Sequence, residues 1–181
     1  YKEPGNGTAD TGYSSCCQSS LPAIVGCKPG SNGRSQYTAN IAFAGFTAPK
    51  LAWVKKHEPE LFAKTAKVLL PKDYVRLWLT GDYVSDMSDA AGTLWLDVGK
   101  RAWSKDLLAA TDLSLDHMPR LVEGTESSGA LRAELVSRWG IAKAPVVAGG
   151  GGDNAASAVG MGAVKPGAAF ASLGTSGVLF V

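Results

Sequence analysis

PVVAGGGGDNAASAVGMGAVKPGAAFASLGTSG, residues 145–177, is the stretch whose reading decides the fold. A short apolar run from Pro145 to Ala148 feeds the glycines 149–152, Asp153 and Asn154 then open a helix of small residues, and a second glycine turn follows at Gly174-Thr175-Ser176-Gly177. Strand, glycine turn, helix and strand in that order make an α/β segment. Asp153 has two readings. As an N-cap it accepts a backbone N–H and stabilises the helix by about 1 kcal/mol. As a general base it takes the proton of a hydroxyl that attacks an electrophile. The readings are compatible, because a carboxylate has two oxygens. Glycines before it let a ligand approach the backbone, and Asn154 both donates and accepts hydrogen bonds.

The turn Gly174-Thr175-Ser176-Gly177 is likewise double. It reads as a tight hairpin, for which glycine carries no steric penalty. It also reads as an anion-binding concavity, in which successive N–H groups and the Thr175 hydroxyl hold phosphates. The chain carries no Walker loop with its Gly-Lys-Ser/Thr ending. Upstream, Ser85-Asp86-Met87-Ser88-Asp89 sets carboxylates three apart without the further ligands of a calcium loop. It reads as a polar turn, with Asp86 a candidate for the wall of a cleft.

Composition restricts the alternatives. The 181 residues, 45% apolar and 19% charged, suit roughly one globular domain with a core. A net charge of +2 is too small and scattered to argue for nucleic acid or an anionic membrane as partner. Apolar runs fall short of the roughly 18 residues that cross a bilayer, and no signal peptide opens the chain, so the cytoplasm is expected. Cys16, Cys17 and Cys27 lack CxxC spacing, and His57 and His117 lack partners at ligand spacing, so no metal site of His and Cys is expected.

Along the chain, residues 1–37 are rich in Gly, Ser, Asn and Pro and read as a leader or loop. Patterning begins near Thr38. Thr47 is expected to cap a helix through His57 with Pro49 in its first turn, and a second helix is expected from Pro59 to Ala66. Val68-Leu69-Leu70 reads as a buried strand. Asp73 to Leu79 reads as a helix capped by Asp73 and stopped at Gly81. Thr93 to Val98 alternates like a half-buried strand, and Trp103 to Ala110 returns to a helix. Further helices are expected at Leu131–Trp139 and Ala155–Gly162, a strand at Pro145–Ala148, and a hairpin from Ala168–Ser172 and Val178–Val181.

With these residues in view, the chain from about Thr38 to Val181 resembles the FGGY carbohydrate kinases, and within them the xylulose-phosphorylating branch. GFTAPKLAWVKKH (45–57) fits the family's first signature; LPKDYVRL (70–77) and SDMSDAAGTLWLD (85–97) resemble that branch in particular. Gly124 through Gly162, with Gly129-Ala130-Leu131 and Gly152-Asp153-Asn154-Ala155, resembles the second signature region. Ordered motifs over most of the chain are far more specific than any one of them.

The resemblance implies an α/β sugar kinase of actin-like, ribonuclease H-like fold, in which two domains close on a cleft. Residues 38–164 would be part of the N-terminal sugar-binding domain and 165–181 the start of the C-terminal ATP-binding domain. It implies ATP with Mg2+, and D-xylulose as the small-molecule sugar that becomes D-xylulose 5-phosphate. Neither nucleic acid nor membrane is implied as a partner, and a homodimer is allowed. Asp153 would be the catalytic base, Asn154 and Asp86 would face the sugar, and Gly174, Thr175 and Ser176 would serve the nucleotide's phosphates. The family's N-terminal Asp-x-Gly-Thr loop and Met-His-Gly sugar motif do not occur, so the expectation is that this polypeptide alone does not phosphorylate sugar. Sibling kinases for glycerol, gluconate or ribulose, a non-catalytic truncated product, and an actin-like ATPase remain the alternatives. Asn154 argues against the glycerol branch, whose members usually carry Gln there.

Overall fold

The computed structural model describes residues 44–174 and 177–180. The expected leader, residues 1–37, and the expected phosphate-turn residues Thr175 and Ser176 lie outside these. The described chain divides into two compact units, 44–66 with Thr93–Leu115, and Lys67–Gly92 with 116–180. Helices and strands are interspersed in both, in keeping with the α/β class.

The first unit holds helices α1 (Thr47–His57) and α2 (Pro59–Ala63). Phe46, not Thr47, is the N-cap of α1, and Thr47 is already helical. On α1, Trp53 and His57 stack one turn apart with ring centroids 4.7 Å from each other. The core of this unit is the run Leu94-Trp95-Leu96, all buried, with Leu107, Leu108 and Leu113. This overturns the expected alternating strand. Leu94 takes a left-handed φ of 68°, which breaks the two-residue period and lets consecutive side chains turn inward. Only Leu96–Asp97 remains as strand β2, hairpin partner of β3 (Ala102–Trp103). The Trp95 indole N–H donates to Thr111 Oγ1 at 3.0 Å, so the ring's polar atom is satisfied inside the core. Ser104 caps helix α5 (Lys105–Ala109), accepting the Leu107 N–H.

The second unit carries the Asp153 stretch. Val68 to Leu70 is not a strand: Val68 donates a single backbone bond to His117, and Leu70 is the N-cap of helix α3 (Pro71–Thr80). Pro71 at the first helical position has no N–H to lose, and Gly81 ends the helix at φ 87° with its N–H on Leu77. Asp73, expected as the cap, lies inside the first turn and is buried. Next come β1 (Val84–Asp86) and the short helix α4 (Met87–Ala90). β1 pairs in parallel with β4 (Arg120–Val122), Val84 opposite Arg120 and Asp86 opposite Val122.

Gly129 sits in β5 (Ser127–Ala130), antiparallel to β6 (Val146–Ala148) and irregular between Ser127 and Gly129. Helix α6 spans Ala133–Arg138 between them. Helix α7 is Asp153–Gly160, and β7 (Phe170–Leu173) forms the expected hairpin with β8 (Gly177–Phe180), Leu173 opposite Gly177. Among the described residues no helix is long and apolar enough to cross a membrane.

Candidate active site

The site grows from the first turn of α3. Lys72 sends its ammonium to three carboxylates, 3.0 Å from Asp73 Oδ1, 3.4 Å from Asp86 Oδ1 and 3.4 Å from Asp89 Oδ2. One turn on, the buried Arg76 guanidinium donates to Asp73 Oδ1 at 2.8 Å and to the Val84 carbonyl at 2.7 Å. Its other terminal nitrogen donates to the carbonyl of Gly149, the first residue of the glycine run. Burying such charges is tolerable because each faces an opposite charge or a carbonyl dipole. Asp73 Oδ2 and Ser85 Oγ are buried without a hydrogen-bond partner among the described residues.

Asp86 ends β1 and caps α4, its Oδ2 accepting the Asp89 N–H at 3.2 Å and the Ser88 hydroxyl at 3.1 Å. Expected on a cleft wall, its side chain is fully buried and engaged by Lys72, Ser88 and its own helix. Burial pushes the Asp89 carboxyl up from its ordinary value, against the pull of the Lys72 ammonium, and the Asp86 and Asp73 carboxylates add to the rise.

The glycine run fits where side chains do not. A Cβ on Gly149 would collide with the Glu123 carbonyl, and one on Gly124 would lie 2.5 Å from the Gly150 carbonyl oxygen. The two backbones bond across this close approach, Gly149 N–H to Glu126 and Gly150 N–H to Gly124. Gly150 takes the left-handed region at φ 77°. At the far end the Gly152 N–H donates to Ser88 Oγ at 3.0 Å.

Gly152, not Asp153, is the N-cap of α7. The capping expectation was one residue late, because the glycine's extended backbone (φ −63°, ψ 152°) already makes the turn into the helix. Asp153 is the first helical residue; its Oδ1 accepts the Asn154 N–H at 2.7 Å, and both residues are exposed. A carboxylate in the first turn is favoured by the helix dipole. Asp86 and Asp153, distant in sequence, are thus linked through Ser88 and Gly152. Gly174 follows β7 and is exposed on the connection to β8.

Sequence reasoning missed Lys72, Arg76 and Ser88 as members of the site. The available signal was the i,i+3 pairing of Asp73 with Arg76, which an exposed helix face displays equally well.

Residues 28–160 match the N-terminal domain of the FGGY family of carbohydrate kinases. The chain is 62% identical over 143 residues to the xylulose kinase of Escherichia coli K12, covering 79% of this chain and 29% of that protein. Among solved structures it is similar to a "xyloylose kinase" from Brucella ovis, with TM-score 0.80 and 56% identity over 93% of this chain and 33% of the other. It is also similar to a gluconate kinase from Lactobacillus acidophilus, with TM-score 0.74 and 26% identity over 79% and 29%. The chain spans under a third of the length of the curated relatives it matches. With the family's domain matched over most of the described residues and the same fold in its solved members, the chain belongs to the FGGY family of carbohydrate kinases.

Proposed function

We propose that, at the full length of its relatives, the protein carrying this chain transfers the γ-phosphate of ATP to D-xylulose, giving D-xylulose 5-phosphate and ADP. The observation that carries this reading is an exposed carboxylate, Asp153, at the first residue of α7, on a glycine turn held by Arg76 at one end and Ser88 at the other. Asn154 N–H occupies Asp153 Oδ1, which leaves Oδ2 for the substrate. Asp153 takes the proton of the sugar's terminal hydroxyl as that oxygen bonds to the γ-phosphorus and the bond from phosphorus to the ADP oxygen breaks. The N-terminus of α7 adds a positive field where phosphate charge develops. Asn154 is assigned to a sugar hydroxyl. Asp86, being buried, acts on the sugar side through the turn it braces.

Residues 38–164 are assigned to the sugar-binding domain and 165–181 to the entry of the nucleotide domain, with Gly174, Thr175 and Ser176 serving the phosphates. Magnesium would neutralise phosphate charge when bound with ATP. Among the described residues no group of three or more His, Cys, Asp or Glu side chains is placed to hold a metal ion, and the chemistry assigned here to Asp153 needs none from them.

The experiment is a substrate panel on the full-length enzyme, following ADP release with D-xylulose, D-ribulose, gluconate and glycerol. The expected result is highest kcat/KM with D-xylulose and a loss of roughly 10²–10⁴-fold in kcat for Asp153→Ala. Preference for gluconate would replace the sugar assignment, in line with the shared fold of the gluconate kinase. Full activity of Asp153→Ala would remove the base.

A further inference from the structure

The turn before Asp153 is made of glycines, which lose more conformational freedom on ordering than any other residue. Something outside the run must hold it. A capping box would do so locally, through a Glu or Gln at the third helical position reaching back to the N–H of the capping residue. In α7 that position is Ala155, which has no polar side chain. The Gly152 N–H is taken instead by Ser88 Oγ, from α4, at 3.0 Å. Ser88 is fixed in turn, because its hydroxyl donates to the buried Asp86 carboxylate at 3.1 Å and Asp86 meets the Lys72 ammonium at 3.4 Å. A hydroxyl that donates to a carboxylate is a stronger acceptor for the next N–H along the chain of bonds.

Resting on the reading of Asp153 as the base, we propose that Ser88 is a positioning residue for the phosphoryl transfer, a capping group supplied from another helix that fixes the direction in which Asp153 leaves its turn. The role assigned to Ser88 runs through its bonds to the Gly152 N–H and the Asp86 carboxylate and requires no contact with sugar or nucleotide. It holds the N–H of the residue immediately before the base, so its loss frees the direction of the Asp153 side chain without altering its chemistry. Displacing a reacting group by about 1 Å can cost roughly a hundredfold in rate.

The test uses the full-length enzyme in four forms: unaltered, Ser88→Ala, Ser88→Thr and Asp153→Ala. Ser88→Ala is expected to lower kcat by roughly ten- to a hundredfold with KM for sugar and ATP within about twofold, and Ser88→Thr, which keeps the hydroxyl, to restore most of the rate. Amide hydrogen exchange at Gly152 supplies a readout independent of turnover: protected in the unaltered and Thr forms, and faster in the Ala form. Unchanged kcat in Ser88→Ala beside an inactive Asp153→Ala overturns the positioning role and leaves the base standing. An active Asp153→Ala overturns the base itself, and the role of Ser88 in its catalysis falls with it. A Gly152 amide that exchanges freely in the unaltered enzyme overturns the proposal whether or not any variant folds.

Discussion

Arg76 and Gly149, far apart in the chain, are joined by a hydrogen bond from the guanidinium to the glycine carbonyl, so α3 grips the first residue of the turn that ends in Asp153. The same buried side chain serves Asp73 and the Val84 carbonyl. Arg76→Ala strands these acceptors, and breaking a buried pair from one side costs about 3–5 kcal/mol. Arg76→Lys should recover little, since one ammonium does not reproduce the planar fork that spans three acceptors. Urea unfolding of the three proteins checks both statements; a loss under about 1 kcal/mol for Ala would contradict them.

Neighbouring glycines of one run should respond unequally to the same added methyl. Gly149→Ala sets a Cβ against the Glu123 carbonyl, a backbone atom that cannot rotate away, whereas at Gly151 the nearest atom is the Ser88 hydroxyl at 3.4 Å. The expected destabilisation is about 2–3 kcal/mol or more for Gly149→Ala and within about 1 kcal/mol for Gly151→Ala. Thermal unfolding of the pair decides it, and equal melting temperatures would count against the close approach.

Asp89 yields a pH dependence of definite sign. Its folded-state value lies above the ordinary 3.8, so the folded chain binds more protons than the unfolded chain between the two values. The Asp89 contribution to stability therefore falls as pH rises through that interval and is level above it. Asp89→Asn does not titrate. The stability of the variant relative to the parent should rise with pH from near 3.8 upward and then plateau, and a difference that stays constant from about pH 3 to 7 would refute this.

Trp95 is fully buried, with its indole N–H on Thr111. Trp95→Phe removes the donor together with part of the ring, and should cost about 2–4 kcal/mol, while Thr111→Val, which leaves the N–H without its acceptor, should cost about 1–3 kcal/mol. The double variant is expected to lose less than the sum, because the bond can be lost only once. Denaturant titrations of the cycle measure the coupling.

Much of this was legible from residue types, and the misses have identifiable causes. Gly81 was readable as a helix stop because a left-handed C-cap strongly favours glycine, and the 170–180 hairpin because glycines flank its turn. Val68 to Leu70 carries strand-like residues, yet its backbone makes one bond to His117 and then turns into α3 at Pro71, so tertiary context overrode β propensity. In Leu94-Trp95-Leu96 the alternation was present in the letters and cancelled by one left-handed backbone at Leu94, a conformation that leucine rarely adopts. At the site, Asp153 stood out because glycines surround it. Lys72 and Arg76 did not, because charged residues on a helix read as a wet face until a partner distant in sequence is known.

The parallel pairing of Val84–Asp86 with Arg120–Val122 also bears on how the chain folds. Parallel neighbours cannot be joined by a tight turn, so the excursion between them must be laid out before the ladder rewards its closure, whereas β5–β6 and β7–β8 close over shorter spans. The strand that presents Asp86 thus depends on a pairing that closes over a longer span than either of those antiparallel pairs. Contacts that close late are largely absent from the folding transition state, so substitutions along β1 or β4 should loosen the bracing of Asp153 from α4 chiefly through faster unfolding, with little change in refolding rate.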